Sequence, residues 1–216
     1  MREYVLLETL LPKVLRDCPN VPRDVALHDI RQATIKFCSK TRMWREDLVP
    51  QQTVADATVT EYEIFTLAPG SRPVAILSIQ ANGIPLEPKT EDELDRGESN
   101  WRAIEGMPSK FTAPSASWIR PIPIASSKVV TITGKVAVAP QQDGLYLLDD
   151  IAEIYGEAIA SIAKGTLMMI PGKPWTNSEL AVFHIGLGES AMAEATAHAS
   201  RNFSAAPKRR VKPVWY

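Results

Sequence analysis

Residues 149–202 read DDIAEIYGEAIASIAKGTLMMIPGKPWTNSELAVFHIGLGESAMAEATAHASRN, and this stretch decides the fold. Apolar residues recur in its first half at helical spacing, which predicts a helix with one buried side. They are Ile151, Ile154, Tyr155, Ala158, Ile159 and Ile162. Asp150 with Glu153 three residues on predicts the N-cap of this helix. Pro171 and Gly172 are typical of its end.

A second helix is predicted directly after the turn at 171–175. Thr176 is its expected N-cap and Glu179 the reciprocal partner, while Trp175 is placed to contact Leu180. Two helices joined by so short a turn should pack side by side. The last third of the chain is therefore predicted to be a helical hairpin.

The N-terminal region predicts two further helices. Residues 3–16 place Leu6, Leu7, Leu10, Leu11 and Val14 on one side of an amphipathic helix. Pro22 suits the first turn of the next helix. Because these two helices lack enough partner surface of their own, we expect them to complete a four-helix bundle with the C-terminal hairpin. Residues 1–43 and 149–203 would form this bundle.

Residues 44–148 have a different pattern, in which helical periodicity gives way to prolines and β-branched residues. Asn82-Gly83 between the apolar runs 74–80 and 84–87 predicts a tight hairpin. Gly134 interrupts another strand, at a predicted bulge. Residues 110–113 and 118–122 are further strands, and 90–97 is a short helix with Thr90 and Glu93 as its capping pair. We therefore expect an α+β protein with an inserted small β-sandwich or barrel.

Bulk properties exclude some function classes. The 216 residues carry a formal net charge of −1, which predicts no strong global attraction to nucleic acid or membranes. Cys18 and Cys38 form no metal-ligand spacing, which favours folding in a reducing compartment. The start of the chain lacks the pattern of a signal peptide, and no apolar run reaches membrane-spanning length. The sequence predicts a soluble protein.

Several segments resemble catalytic or cofactor motifs without their context. Residues 186–191 match the dinucleotide pattern GxGxxA, but no second strand ending in an acid follows. Residues 188–192 lack the last glycine of a hydrolase elbow, and Gly172-Lys173 lacks the remainder of a phosphate loop. His28, His184 and His198 have no ligand-spaced partners. We predict no enzyme, no cofactor and no metal, and we interpret the glycines of 186–188 as sites where a neighbouring helix approaches closely.

The segment 87–98 is acidic, with six carboxylates against Lys89 and Arg96. It lacks the alternating oxygen ligands and the glycine of a calcium loop. A solvated helix is the favoured interpretation. The alternative is a surface that repels DNA or pairs with a basic neighbour.

The segment 204–216 is basic and ends in aromatic residues. Its expected docking residues are Lys208, Arg209, Arg210, Val211, Lys212, Pro213, Val214, Trp215 and Tyr216. This composition cannot bury enough apolar surface to order itself, so the segment is predicted to be extended when free. Four cations could contact phosphates, whereas Val214, Trp215 and Tyr216 favour an apolar groove on a protein. We favour docking on a protein partner over DNA binding.

The order of these parts resembles the head-to-tail adaptor (connector) proteins of tailed bacteriophages. The residues that carry the resemblance are 30–38, 41–48, 76–79, 82–86, 90–95, 155–160 and the turn MIPGKPWTN at 169–177, which is the most specific piece. The similarity covers nearly the whole chain. None of these motifs is catalytic.

The resemblance implies a structural virion protein that forms a ring, commonly of twelve copies, between the portal and the tail. The bundle helices would contact neighbouring copies, and residues 206–216 would dock on the portal ring. The other expected partners are a tail-side component, such as a nozzle, tail tube or fibre protein, and DNA in transit through the channel. The expected location is the head–tail junction, after assembly in the host cytoplasm. A DNA-binding protein that uses the basic segment is the alternative, and an enzyme in the β insert is the least favoured.

Overall fold

A computed structural model describes residues 3–54, 59–97, 100–125 and 129–201. Within these ranges the protein is α+β. Its helices are α1 (Leu11–Leu15), α2 (Arg23–Thr41), α3 (Glu91–Gly97), α4 (Asp149–Met168) and α5 (Ser178–Ser200), with a 3-10 turn at Leu7–Leu10. Its strands are β1 (Tyr4–Leu6), β2 (Arg45–Asp47), β3 (Gln51–Gln52), β4 (Tyr62–Glu63), β5 (Ser71–Ala81), β6 (Ile84–Pro85), β7 (Glu87–Pro88), β8 (Lys110–Ser115), β9 (Trp118–Ile122), β10 (Thr131–Pro140) and β11 (Tyr146–Leu148).

The described strands form three sheets. The first is the antiparallel pair β1–β11. The second has the order β2-β10-β5-β6, with β3 also pairing with β10, and the third has the order β4-β9-β8-β7. All pairings are antiparallel except β7 with β8. β10 is the centre of the second sheet, and it packs against α2.

The predicted four-helix bundle is wrong. α2, α4 and α5 pack together, but the fourth helix is replaced by β1, the 3-10 turn and the five-residue α1. The predicted helix over 3–16 fails at its start because β1 extends alongside β11, and the amide of Leu7 donates to the carbonyl of Leu145 at 2.8 Å. Leu7, Leu10, Leu11 and Val14 are nevertheless buried, as their spacing predicted. Leu6 is 44% exposed, against the prediction, because it lies in β1 instead of a helix.

The strands also do not form a sandwich or barrel separate from the helices. One hydrophobic core contains Phe37 of α2, Ile159 of α4 and Val136 of β10. Trp44, at the junction of α2 and the sheet, is fully buried, and its indole Nε1 donates to Oε1 of Glu46 at 2.7 Å. α2 therefore packs against the second sheet as well as against the other helices. The boundaries predicted at 43/44, 148/149 and 203/204 stay a prediction.

Local signals in the β region were largely right. Asn82 and Gly83 both have positive φ, at 50° and 80°, and they join β5 to β6 as predicted. The capping pair of α3 is confirmed, since the amide of Glu93 donates to Thr90 Oγ1 at 3.2 Å while the amide of Thr90 donates to Glu93 Oε2 at 2.9 Å. The register shifts of β10 follow Lys135 and Ala137 rather than Gly134 itself.

The predicted caps of the C-terminal hairpin are wrong. α4 begins at Asp149, and its N-cap position is Leu148, without a side-chain cap. In α5 the cap is Asn177, whose side-chain oxygen accepts from the amide of Leu180 at 3.1 Å. Thr176 instead accepts from the amide of Lys173, inside the turn. The hairpin itself forms as predicted.

Candidate protein-binding surfaces

The predicted docking segment, from Lys208 to Tyr216, lies outside the described residues. The described part of the chain ends at Arg201, directly after α5. Arg45 Nη2 donates to the carbonyl of Ala199 at 2.6 Å, and the hydroxyl of Tyr155 lies 2.8 Å from His198 Nδ1. Residue 201 is thereby held beside the sheet at β2.

α5 presents an apolar surface on the side opposite its packed side. Ala181, Gly188 and Ala199 are buried, whereas Val182 is 63% exposed and Phe183 58% exposed. The exposed side also carries Leu180, Gly186, Leu187, Ser190, Ala193 and Ala197, together with the carboxylates of Glu179 and Glu194. We call this set the outer face of α5. Large apolar side chains grouped along one helix face are typical of a surface that binds another protein.

The sequence analysis treated α5 as an ordinary bundle helix and missed this face. The signal was present, because the 23 residues of α5 contain only the charged residues Glu179, Glu189 and Glu194, apart from two histidines. A helix that is apolar all round needs partners on more than one side. One partner is α4, and the described residues supply none for the outer face.

Close approach of α4 and α5 depends on glycines. A Cβ added to Gly188 would lie 2.5 Å from Ile162 Cγ1, and one added to Gly165 would lie 2.6 Å from Ile185 Cγ1. The interpretation of the GxGxxA match as a helix contact is thus confirmed for Gly188. It is not confirmed for Gly186, which has open space around it. Residues 181–185 before the match are helical, not a strand.

An ion pair connects α4 to the turn after α1. Lys164 is 2% exposed, and its Nζ donates to Asp17 Oδ2 at 2.6 Å. This hydrogen bond lowers the pKa of Asp17. His184 of α5 lies near the pair, and burial lowers its pKa, with a further contribution from the charge of Lys164. His184 Nδ1 is buried with no hydrogen-bond partner in the described part of the chain.

The acidic segment 87–98 pairs with basic residues of the same chain. In α3, Asp95 Oδ1 accepts from Arg102 Nη1 at 2.6 Å and from Trp101 Nε1 at 2.8 Å. The guanidinium of Arg102 also lies over the ring of Trp101. The favoured interpretation as a simply solvated helix is therefore incomplete, because this carboxylate binds a basic neighbour within the fold.

A cleft of about 840 Å³ lies between β5 and β8. Its walls are 74–76 of β5 and 111–116 at β8, and 88–91 with Glu93 close one end. Clefts of this size accommodate small molecules or short peptide segments. The sequence analysis missed the cleft because it depends on how two distant strands are placed.

Other candidate chemistry is not assembled by the fold. His28, His184 and His198 each lie on a helix, and His28 is exposed. In the ranges that the structure describes, no group of three or more His, Cys, Asp or Glu residues is placed to hold a metal ion. No helix within those ranges combines the length and apolarity needed to cross a membrane. Cys18 and Cys38 are buried free thiols, and burial raises the pKa of Cys38 to about 12.

No protein-family model matches this chain, and no curated protein is detectably similar to it.

Proposed function

We propose that this chain is a structural virion protein, a head-to-tail adaptor whose copies form a ring between the portal and the tail of a bacteriophage. The proposal starts from the sequence resemblance, and the outer face of α5 is the observation that carries it. In the proposed ring, expected to be a dodecamer, DNA passes through the centre and a tail-side protein binds the far side. The residues from Lys208 to Tyr216 dock on the portal.

The outer face of α5 supports contact between copies. It exposes Val182, Phe183 and Leu187 without a basic residue among them, so DNA phosphate is a poor partner for it. The small residues Gly186, Ser190 and Ala193 lie on the same side and permit another surface to approach the helix closely. Burying Phe183 alone would contribute roughly 1.5–3 kcal/mol.

A ring needs a contact between two different surfaces of each copy. One helix face that binds another part of the next copy produces a head-to-tail contact, which closes into a ring when the rotation permits. The outer face of α5 would supply one side of each such contact. A ring also gives every copy a docking segment, so weak individual contacts with the portal add up to a stable joint.

The test is binding to the portal ring of the same virus. The full chain is compared with a version truncated after Ser204, which removes only residues outside the described structure, and with a full-length chain whose residues 205–216 are scrambled. We expect the full chain to decorate portal rings in electron micrographs and to co-sediment with them. The truncated and scrambled chains should do neither.

Other outcomes would redirect the proposal. Equal binding by all three chains would contradict the role of residues 208–216. Absence of portal binding by any of them would contradict the adaptor function. If the full chain instead binds duplex DNA with an affinity that falls steeply with salt, the result would favour the alternative function, in which the four cations of the segment 204–216 bind DNA phosphates.

A further inference from the structure

The cleft between β5 and β8 continues the path of an interrupted strand. β6 pairs with the end of β5 through Ile84 and Ala81, and β7 pairs with the start of β8 through Glu87 and Lys110. Residues 84–88 therefore lie between the second and third sheets. The chain then turns away at Thr90, where the capping pair with Glu93 starts α3. The cleft begins where these residues stop.

Two strand edges face this space. In the described chain, β5 has partners on that side only at Gln80 and Ala81, which pair with β6, and at Ile79, whose carbonyl accepts from the amide of Leu86, although β5 extends back to Ser71. On β8, the partner β7 reaches only Lys110 and Phe111. Residues 74–76, in the earlier half of β5, and residues 112–115, which follow the paired start of β8, line the cleft. Unpaired strand edges bind extended segments through main-chain hydrogen bonds.

The residues that line the cleft indicate what composition a bound segment would have. Val74, Ile76 and Phe111 supply apolar contacts. Glu91 and Glu93 supply carboxylates at one end; Glu91 also lies 3.5 Å from Arg102 and Arg120, and Glu93 accepts from the amide of Thr90. Lys89 also lines the cleft, and it pairs with Glu87 at 2.8 Å. An extended segment that combines cations with a β-branched residue would match these walls.

Residues 209–212 of this chain, Arg-Arg-Val-Lys, have that composition. The four residues match the length of the free edge at 112–115. Pro213 follows, and it would end the ladder because it has no amide hydrogen to donate. Val211 would contact the apolar wall, while the flanking cations approach the carboxylates of α3.

The segment can also reach the cleft of its own molecule. Arg45, which binds the carbonyl of Ala199, pairs with Ala137 of β10, and Ala137 pairs with Ala75 on the cleft wall. Those three strands span about 10 Å. The eight residues from 202 to 209 extend up to roughly 26 Å. Residues 209–212 are therefore tethered by a segment long enough to reach the cleft of their own molecule, and a second copy is not needed.

We infer that residues 209–212 bind in the cleft between β5 and β8 of the same molecule, as an added strand. The inference goes beyond the proposed function, and its test needs no portal. Since the portal would bind the same residues, cleft and portal would compete for them. Release from the cleft would then be a step of docking.

The test is amide hydrogen exchange of the full chain, compared with Val211→Pro and the matched control Ala205→Pro. Both substitutions lie outside the described fold, but only V211P removes an amide from the proposed ladder. We expect the amides of residues 74, 76, 113 and 115 to exchange at least tenfold faster in V211P than in the full chain, whereas the amide of Ala75, which faces β10, should not change. In A205P they should exchange as in the full chain, at every protein concentration.

Two results would overturn the inference. Identical exchange in all three chains would mean that residues 209–212 do not occupy the cleft. Protection that increases with protein concentration would mean that the segment comes from another copy. Neither result bears on portal binding, so this inference can fail while the proposed function stands.

Discussion

α4 and α5 are neighbouring helices of similar length and similar apolar composition, yet their surroundings differ. From Ile159 to Gly165 every residue of α4 is buried, because α1, α2 and α5 surround it. α5 buries one narrow side that consists mainly of small residues and leaves Val182 and Phe183 exposed. Over residues 159–165, α4 is covered on all sides by other described residues, whereas α5 is covered by them on one side only.

This difference separates the helix surfaces that the described residues cover from those that they leave exposed. The burial of α4 is complete enough to include the charged side chain of Lys164, with Asp17 as its partner. The outer face of α5 has the same kind of side chains without cover from the described residues. In the proposed ring, the next copy covers this face. Changes in α4 should therefore alter stability, and changes on the outer face of α5 should alter assembly.

The largest effect on stability is expected for Asp17→Ala. It leaves the buried ammonium of Lys164 without its partner, which should cost about 2–3 kcal/mol, less than for a fully buried pair because Asp17 is 31% exposed. Urea unfolding at pH 7 measures this. The matched Lys164→Met removes the buried charge itself and should cost less than 1 kcal/mol. Equal costs for both variants would contradict this account of the pair.

The ion pair also has a pH signature. Because the folded pKa of Asp17 is lowered, its contribution to stability is complete above its unfolded pKa, about 4, and is lost as the pH falls through the folded pKa. The free energy of unfolding between pH 4 and pH 2 should therefore fall more steeply in the natural chain than in Asp17→Ala. Parallel dependence of the two free energies of unfolding on pH would mean that ionised Asp17 does not stabilise the fold.

An intermediate effect is expected for Gly165→Ala, which tests the covered side. Its new Cβ would meet Ile185 Cγ1 at 2.6 Å and Ile185 N at 3.2 Å, so we expect a loss of about 1–2 kcal/mol even after the gain in helix propensity. Gly186→Ala is the matched control in α5, with open space around it, and should stabilise by up to about 1 kcal/mol. Thermal melts that rank these variants in the reverse order would contradict the packing described.

The smallest effect is expected at His184, at the boundary between covered and uncovered sides of α5. Burial lowers the pKa of His184 in the folded protein. As the pH falls below about 6.5, the imidazole therefore becomes protonated in the unfolded chain before it does so in the folded protein, and the free energy of unfolding decreases. His184→Gln should reduce the loss of stability between pH 7 and pH 5. An unchanged loss, measured by urea unfolding at both pH values, would mean that His184 contributes nothing to it.

Patterns within a short stretch predicted much of this fold. Thr90 with Glu93 and the dipeptide Asn82-Gly83 act through neighbouring residues, and both formed as expected. The cap of α5 was misplaced by one residue because Thr176 binds within the turn, leaving Asn177 to cap the helix.

The errors have tertiary causes. β1 replaced a predicted helix because β11, far along the chain, supplies hydrogen-bond partners for Tyr4–Leu6. The cleft between β5 and β8 depends likewise on long-range placement. The outer face of α5 could have been predicted, because the shortage of charge along that helix is visible in the sequence. The docking residues 208–216 remain a prediction.

The most direct test of the adaptor proposal is the mass of the complex with the portal ring, measured for the natural chain, Phe183→Asp and Ile154→Asp. Ile154 is a matched control, since it is 60% exposed on α4 but lies off the outer face of α5. Melting temperatures verify that all three fold. We predict that the natural chain and I154D load the portal with the same full complement of copies, whereas F183D loads few or none. A full complement of F183D would contradict the claim that this face joins the copies of the ring.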